Sequence, residues 1–456
     1  MQRKKLSIGL CVASLIFTVF LSSAAGQETS VWPTRQGMNV PEASRETSMK
    51  AGSKDVGIPA AGQQVSIRLP RHGTPRHGTT IRSADQAEEV LWDFGNGTDG
   101  QGPAAGVVID AIGEIFGTTQ LGGMYGQGMV FELELTEDGW VEHDLHDFGV
   151  PGTDDGIQPN GVILVSSGGL SGLFGTTNGG GRYNYGTVFQ LSPNESGGWT
   201  EYILHSFQGN DLGNEDGANP VAGLVADSAG TLYGTTYKGG DYNKGTAFDL
   251  YLDEGSWQED VLHSFGLYDT GAYPTSGLII NSDGNPYGTT SAGGEQDGGD
   301  VFDLLNDGAT EEELFDFPDG TTPMGSLLQV NDNIYGVTER GGDHHSGTVF
   351  EITRPGSVRR LYSFGSRGDG INPQAGLLWG NNGYLYGTTS GGGMYGHGTV
   401  FAESLGGGED IILWSFGNGD DGSFPTSNLT VERGILLGTT VFGGMYGHGT
   451  VFAVFP

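Results

Sequence analysis

Short apolar segments, rich in β-branched and aromatic residues, alternate from residue 88 onward with segments rich in Gly, Asn, Asp and Pro. In one representative stretch, residues 223–225, 232–236, 245–250 and 260–265 are each predicted to form a strand. The third segment places Val or Ala beside Phe, so both faces of its sheet are apolar. No long stretch has a 3.6-residue period, and the 85 glycines disfavour helices. The pattern therefore predicts an all-β protein whose sheets are covered on both faces.

The second of these strands carries a phrase that recurs seven times, in most copies as Tyr-Gly-Thr-Thr or Phe-Gly-Thr-Thr. Its glycines are Gly117, Gly175, Gly234, Gly288, Gly336, Gly387 and Gly438, which gives periods of 58, 59, 54, 48, 51 and 51 residues. A period near 50 residues built from short strands is typical of a β-propeller. We therefore predict a seven-bladed propeller with four strands per blade.

The fourth strand predicts how the ring closes. It ends at a Phe that is usually followed by Gly, at Phe94, Phe148, Phe207, Phe265, Phe317, Phe364 and Phe416. The first copy precedes the first complete repeat, and the sequence stops four residues after Phe452, which ends the last third strand. We expect residues 90–94 to complete the last blade, because this leaves no unpaired blade edge.

The amino-acid composition divides the chain into three regions. Residues 1–26 have a basic start, an apolar stretch and small residues, which predicts a signal peptide, with a retained membrane anchor as the alternative. Residues 27–87 are polar and nearly free of aromatics, which predicts a disordered linker, with a basic adhesive tail as the alternative. Residues 88–456 form the propeller. We expect a secreted, extracellular protein, or alternatively a periplasmic one, that does not associate with the membrane once the signal is removed.

The charge excludes some partners. Of the 20 Lys and Arg residues, nine lie in 88–456, and of the 55 Asp and Glu residues, 50 lie there, a net charge of −41 (9 − 50). Nucleic acids and anionic membranes both require cationic contacts, so neither is expected as a partner. The only cysteine, Cys11, lies in the predicted signal peptide, which argues against disulfides or thiol chemistry in the mature protein.

An Asp-Gly-x-x-Pro segment follows most copies of the fourth strand and offers a candidate metal ligand. Its acids are Asp99, Asp155, Asp216, Asp319, Asp369 and Asp421, with Thr270 in the remaining copy. The favoured interpretation is turn chemistry, in which Asp accepts backbone hydrogen bonds and Pro fixes the next strand. The alternative is Ca²⁺, for which carboxylates are suitable ligands, although no loop has the alternating ligand spacing of a calcium loop. No other cofactor is predicted.

Exposed aromatic residues are the candidate ligand contacts. A Gly-Gly segment, often followed by Met-Tyr-Gly, comes after the second strand and is predicted to lie on the same face as the Asp-Gly loops. The ligand-binding candidates are Tyr125, Tyr185, Tyr242, Tyr395, Tyr446, His397 and His448. Tyrosines beside Asn and Asp are suited to stacking on sugars and to hydrogen bonding with them. His146, His205 and His263 occupy an aromatic position of the fourth strand and are interpreted as packing residues.

No catalytic residues are predicted, because the departures from the repeat do not assemble a nucleophile with its base. We therefore expect a non-enzymatic, monomeric protein that binds extracellular polysaccharide or surface proteins. A polysaccharide-cleaving enzyme with a carboxylate pair is one alternative, and a structural or adhesive matrix protein is another.

The Leu-Tyr-Gly-Thr-Thr, Gly-Gly and Gly-Thr-Val-Phe phrases resemble the GloVer tandem repeat over residues 91–452. That repeat is typical of exported bacterial proteins called choice-of-anchor, so the resemblance implies export and a repeat architecture, and it assigns no activity and no catalytic residues. No hydrophobic or basic tail follows Phe452, so we expect release from the cell rather than attachment.

Overall fold

Seven small antiparallel sheets repeat around a ring, as the spacing of the apolar segments predicts. The computed structural model describes residues 87–210, 216–267, 270–281, 284–305, 308, 310–318, 320–353, 357–407 and 410–456. The predicted signal peptide 1–26, the predicted linker 27–87 (except the backbone of residue 87) and Asp319 lie outside the described residues. No helix long and apolar enough to cross a membrane is present among the residues described.

The strands are short, with two to ten residues each. The first group in chain order is β1 (Ala87–Asp93), β2 (Gly100–Gln101), β3 (Val108–Ile109), β4 (Ile115–Thr119), β5 (Leu121–Gly122), β6 (Met129–Thr136), β7 (Gly139–Asp147), β8 (Gly156–Val165), β9 (Gly172–Gly180), β10 (Thr187–Pro193), β11 (Trp199–Ser206), β12 (Gly217–Ala218) and β13 (Val225–Ala226). The second group is β14 (Leu232–Thr236), β15 (Lys238–Gly239), β16 (Thr246–Asp253), β17 (Ser256–Ser264), β18 (Gly271–Pro274), β19 (Ile279–Ile280), β20 (Pro286–Gly293), β21 (Asp297–Leu305), β22 (Thr310–Pro318), β23 (Pro323–Val330), β24 (Asn333–Thr338) and β25 (Thr348–Thr353). The third group is β26 (Ser357–Ser363), β27 (Gly370–Ile371), β28 (Leu378–Trp379), β29 (Tyr384–Thr389), β30 (Gly391–Gly392), β31 (Thr399–Ser404), β32 (Asp410–Ser415), β33 (Gly422–Ser423), β34 (Thr430–Glu432), β35 (Ile435–Thr440), β36 (Phe442–Gly443) and β37 (Thr450–Phe455).

Blades 1 to 6 pair their strands in chain order, and blade 7 ends with the N-terminal strand β1. Blades 1 to 3 have the orders β3-β4-β6-β7, β8-β9-β10-β11 and β13-β14-β16-β17. In blade 4, both β18 and β19 pair with β20, which continues to β21 and β22. Blades 5 and 6 are β23-β24-β25-β26 and β28-β29-β31-β32, and blade 7 is β34-β35-β37-β1. The predicted seven-bladed propeller with four strands per blade is thus confirmed.

The ring closes through the N-terminal strand, as predicted. Strand β1 pairs antiparallel with β37, with Ala87 opposite Phe455 and Asp93 opposite Thr450. Phe94 then packs in the same core cluster as Phe131 of blade 1. The outer edge of blade 7 is therefore covered by a strand from the other end of the propeller sequence, and all described residues belong to one compact unit.

The structure differs from the prediction at the first strand of several blades. In blade 3 this strand is only β13, residues 225–226, rather than 223–225. The chain instead forms separate two-residue ribbons, such as β2 with β5, which join the Asp-Gly segment to the Gly-Gly segment. Gly122 in this ribbon has φ +76°, a left-handed conformation that favours glycine.

Adjacent Val and Phe side chains on the third strand point to opposite neighbouring blades. In β6, Val130 packs in a cluster with Phe189 of blade 2 and with Phe148, which follows β7. Phe131 packs instead with Phe94 and other residues of blade 7. Both Val130 and Phe131 are fully buried. Two consecutive apolar residues are therefore needed, because each sheet is packed on both faces.

A pair of phenylalanines lies at each blade interface. The Phe after the fourth strand of one blade meets the Phe of the third strand of the next, with ring centroids 4.8–5.2 Å apart and tilted or edge-on planes. The pairs are Phe94–Phe131, Phe148–Phe189, Phe207–Phe248, Phe265–Phe302, Phe317–Phe350, Phe364–Phe401 and Phe416–Phe452. All seven interfaces thus share one aromatic contact.

The third-strand Phe also explains the glycine of the recurrent Tyr-Gly-Thr-Thr phrase. A Cβ atom placed on Gly234 would lie 2.5 Å from Cζ of Phe248. In every other blade, the third-strand Phe covers the equivalent glycine in the same way. No positive φ is required at Gly234, so the restriction is steric rather than conformational. The third-strand Phe can therefore occupy its position only when the second-strand residue beneath it is glycine.

We expect Gly234→Ala to destabilise the propeller by about 1–3 kcal/mol, because the methyl group forces Phe248 out of its position. The urea-unfolding midpoint of the variant measures the effect. Gly223→Ala is the matched control, since no atom lies within 4 Å of the added Cβ there. Equal midpoints for the two variants would show that the Phe–Gly contact does not limit stability.

Candidate functional site

Two families of loops meet on one face of the ring, as predicted. In six of the seven blades, the described Asp-Gly segment before the blade (Thr-Gly in blade 4) and the Gly-Gly segment after its second strand are joined by backbone hydrogen bonds, for example from Gly393 N to Asp369 O (2.7 Å) and from Gly181 N to Asp155 O (2.8 Å). We call the surface formed by these two loop families the loop face. The exposed loop residues of these blades therefore rest on a hydrogen-bonded base.

The loop face is also tied together between blades. The N–H of Phe424 donates to the carbonyl oxygen of His397 (2.8 Å), and the N–H of Gly102 donates to that of His448 (2.8 Å). Phe424 has φ +58°, a left-handed conformation that is uncommon for a residue other than glycine. His397 and His448 therefore hold neighbouring blades through their backbones, while their side chains are exposed.

Three Met-Tyr pairs, which we call the Met-Tyr tips, place exposed apolar side chains on the loop face. They are Met124-Tyr125, Met394-Tyr395 and Met445-Tyr446, and they belong to blades 1, 6 and 7, which are consecutive in the closed ring. Each Met is at least half exposed, and each Tyr is about 40% exposed (38%, 40% and 43%). The three tips share one sequence and lie on neighbouring blades.

The residue before the Phe of the fourth strand holds each tip. The N–H of Met124 donates to Oδ1 of Asp147 (2.7 Å), and the N–H of Met445 donates to Oδ1 of Asp93 (2.8 Å). In blade 6, the N–H of Met394 donates to Oγ of Ser415 (3.2 Å). The backbone of each tip is therefore fixed from its own blade, and the Met and Tyr side chains are left exposed.

The remaining tyrosine candidates occupy two different positions. Tyr242 is 42% exposed and lies at the tip position of blade 3. Tyr185 is half-buried and packs against the apolar cluster between blades 2 and 3. In blade 2 the tip position belongs to Tyr183, where Arg182 lies 5.6 Å from the ring centroid. Tyr183 can be identified from the sequence, because it is the second residue after Gly180-Gly181, as Tyr125 is after Gly122-Gly123.

The described Asp residues of the Asp-Gly segments cap the turn that follows the fourth strand. Oδ2 of Asp155 accepts hydrogen bonds from the N–H groups of Gly149 (2.7 Å) and Val150 (2.8 Å). Asp99, Asp216, Asp369 and Asp421 likewise accept backbone N–H groups of their own turns. Thr270, which replaces Asp in blade 4, accepts the N–H of Gly266 through Oγ1 (3.3 Å). These contacts agree with the turn interpretation, and calcium binding stays a prediction.

A second carboxyl group, which was not predicted from the sequence, lies beside most of these Asp residues. It comes from the position six residues before the Phe of the next blade, as in Glu142 near Asp99 and Asp410 near Asp369. Burial, and after it the charge of the neighbouring Asp, raises the pKa of Glu142 to about 8 and that of Asp410 to about 8. The six-residue spacing is visible in the sequence, but the contact crosses a blade interface.

At two interfaces a histidine joins the carboxyl pair. Nε2 of His146 lies 3.4 Å from Oδ1 of Asp155 and 3.5 Å from Oε2 of Glu201. Nε2 of His205 lies 3.2 Å from Oδ2 of Asp216, and Glu259 completes this group. We call these groups the His-carboxylate clusters. Burial lowers the pKa of each histidine, but the adjacent carboxylates outweigh it, and the net pKa of both is raised.

The predicted packing role of these histidines is also present. The rings of His146, His205 and His263 stand edge-on to Phe148, Phe207 and Phe265, with centroids 4.7–4.8 Å apart. Phe315 and Tyr362 make the same contact in other blades. The histidines therefore pack as aromatic rings and, at two interfaces, also contact a pair of carboxyl groups.

The buried carboxyl groups predict that the propeller loses stability as pH rises. The pKa values of Glu88, Glu142 and Asp410 are raised to about 8, far above those of free carboxyl groups, so the folded state binds more protons than the unfolded state between about pH 4.5 and pH 8. The stabilisation that these protonated groups contribute is therefore fully present below about pH 4.5 and is lost as pH rises through about pH 8.

We expect the thermal midpoint to fall across this window and the fall to be smaller in Glu142→Gln, which stays uncharged at all pH values. The same replacement at the exposed Glu137 is the control. A midpoint that rises between about pH 5 and pH 8 would contradict the predicted protonation of these groups.

The fold and the loop face define a β-propeller repeat protein. The sequence profile of the Gloeobacter/Verrucomicrobia repeat matches residues 71–302, 171–378 and 315–456, and the chain belongs to this family. A comparison with curated proteins finds no match.

Solved propeller structures are similar in fold. The GH74 xyloglucanase from Xanthomonas campestris has a TM-score of 0.50 and 14% identity, over 81% of this chain and 53% of that one. The oligogalacturonate lyase from Vibrio parahaemolyticus has a TM-score of 0.49 and 11% identity, over 81% and 96%. The sialidase from Trypanosoma rangeli has a TM-score of 0.42 and 11% identity, over 82% and 59%. At these identities the likeness concerns the fold alone.

Proposed function

We propose that this protein is a secreted, non-enzymatic propeller that binds extracellular polysaccharide through the loop face. The observation that carries the proposal is the set of three Met-Tyr tips on consecutive blades, with exposed side chains and fixed backbones. A rigid aromatic ring loses little conformational entropy on binding and presents a flat face for stacking on a sugar ring.

The repetition of the tips supports binding to a polymer. Three alike contacts on neighbouring blades can engage successive units of one chain, and each weak contact then strengthens the others through a high effective concentration. A catalytic centre requires one group of residues that differs from the other repeats. The tips at Tyr125, Tyr395 and Tyr446 are instead alike in sequence and exposure.

The charge of the propeller limits the class of polysaccharide that it is expected to bind. Residues 88–456 carry 50 acidic and nine basic residues, so an anionic polymer is repelled at long range. Uncharged polysaccharides, or those bearing amino groups, are the ligands that the proposal favours. A surface protein is the alternative partner.

The test is a binding screen of the full-length protein against neutral, amino-bearing and anionic polysaccharides. We expect binding to the first two classes and a loss of about tenfold or more in affinity when Tyr125, Tyr395 and Tyr446 are all replaced by Ala, because the stacking surface is removed. Running the screen with calcium and again with EDTA tests the Asp-loop calcium hypothesis at the same time.

Tyr202→Ala is the matched control, because Tyr202 is 53% exposed but lies on β11, away from the Met-Tyr tips. Unchanged affinity in the triple variant would place the binding site elsewhere. Release of reducing sugar by the highly purified protein would overturn the non-enzymatic part of the proposal, and absence of binding to every polysaccharide would favour a protein partner.

A further inference from the structure

We propose that the two His-carboxylate clusters, His146-Asp155-Glu201 and His205-Asp216-Glu259, each bind one divalent transition-metal ion at a blade interface. This binding is independent of the ligand of the Met-Tyr tips. In each cluster, one imidazole nitrogen and one oxygen from each carboxylate lie within 4.8 Å of one another. The three groups come from two adjacent blades, so a bound ion would link them.

The distances in the first cluster fit ligands of a common ion better than hydrogen bonds. Nε2 of His146 lies 3.4 Å from Asp155 and 3.5 Å from Glu201, whereas charge-assisted hydrogen bonds are typically about 2.7–2.9 Å long. Two donors bound to a tetrahedral Zn²⁺ at about 2.0–2.2 Å are about 3.4 Å apart. The same nitrogen faces both carboxylates, as a shared ion requires.

The clusters contain carboxylate oxygens that the protein itself does not satisfy. Among the described residues, Oε1 of Glu201 and Oε1 of Glu259 are buried and have no hydrogen-bond partner, as is also true of the equivalent carboxyl oxygens at the interfaces that carry Trp or Tyr in place of the histidine. The side chain of Asp155 is only 4% exposed, and its Oδ2 is held by two backbone N–H groups while Oδ1 faces His146. Such outer contacts orient a ligating carboxylate, and orphaned buried oxygens call for a partner.

Within the part of the chain that the structure describes, no basic side chain supplies that partner. The charged groups that act on Glu201 are His146 and Asp155, and those that act on Glu259 are His205, Asp216, Asp260 and Asp249. When its carboxyl groups are ionised, each cluster gathers two buried negative charges around a single imidazole. A divalent cation would compensate this charge, with the fourth coordination position left for water.

The other blades act as internal controls for the role of histidine. The equivalent position is Trp92, Tyr362 or Trp414 where a carboxyl pair is also present, and Phe315 in blade 4. His263 has Glu311 at 3.1 Å but Thr270 in place of the Asp. A histidine nitrogen and two carboxyl groups thus lie together at only two of the described interfaces. The predicted stoichiometry is two metal ions per protein molecule.

The donor set selects the class of metal. Imidazole nitrogen with carboxylate oxygens suits Zn²⁺, Co²⁺ or Mn²⁺, whereas Ca²⁺ requires about six to eight oxygen ligands. The experiment is calorimetric titration of the full-length protein, purified without a histidine tag and treated with chelator, with Zn²⁺ alone. We expect two equivalents for the unmodified protein, one for His146→Phe or His205→Phe, and none for the double variant.

Phenylalanine is chosen because blade 4 carries it at this position, so the ring contact with the following Phe is kept. Glu201→Gln with Glu259→Gln is the second test, since it removes ligands without changing side-chain size. His143→Phe, at an exposed histidine of β7 paired with Glu134 at 3.1 Å, is the control and should retain two equivalents.

Visible absorption of the Co²⁺-loaded protein should indicate tetrahedral coordination and should disappear in the double variant. Zn²⁺ should also raise the thermal midpoint of the unmodified protein and leave that of the double variant unchanged, because binding to the folded state alone stabilises it. The proposal is overturned by the absence of saturable binding, by a stoichiometry that the His→Phe changes do not alter, or by equally tight Ca²⁺ binding at the same positions.

Discussion

The structure depends on one contact that repeats at every blade interface, the pair of phenylalanines packed over a glycine. The Phe that ends one blade meets the third-strand Phe of the next, and that ring occupies the space above the glycine of the second strand. Because the ring is closed, the seven pairs are not independent: a change in the spacing of one pair must be absorbed by the other six. The contact has nearly the same length, about 5 Å, at all seven interfaces, which agrees with the repetition of its two phenylalanines in the sequence.

The same Phe fixes the loop face. The residue before it holds the backbone of the Met-Tyr tip, as Asp147 does for Met124, and the turn after it is capped by the Asp of the next Asp-Gly segment, as Asp155 does for Gly149. The exposed tips are therefore only a few bonds from the most buried side chains of the protein. This connection explains how glycine-rich loops keep a defined conformation without disulfides or helices among the described residues.

The fold could be predicted from the sequence because its strands, turns and closing strand recur within single repeats. Contacts between repeats could not. Asp155 and Glu201 are far apart in the sequence and meet only because adjacent blades pack face to face, and the register of the outer strands shifts at Val188/Phe189, which moves Glu201 relative to a regular strand. Tyr185 differs from the other tyrosine candidates for a related reason: its position lies at the interface with the next blade, where its ring packs inward. The repeat pattern thus predicts the position of a residue within its own blade. It does not predict which residues of the adjacent blade contact it.

Departures from the repeat carry information that the repeat itself does not. A position that accepts Trp, Tyr, Phe or His needs only an aromatic ring for packing, so histidine is one of several solutions to the same steric requirement. Histidine alone adds a nitrogen that reaches the carboxyl pair of the interface. Asp216 connects this chemistry to the surface, because its carboxylate faces His205 while its backbone oxygen accepts the N–H of Gly240, two residues before the exposed Tyr242. The His-carboxylate cluster at this interface and the loop face of blade 3 therefore share one residue, Asp216.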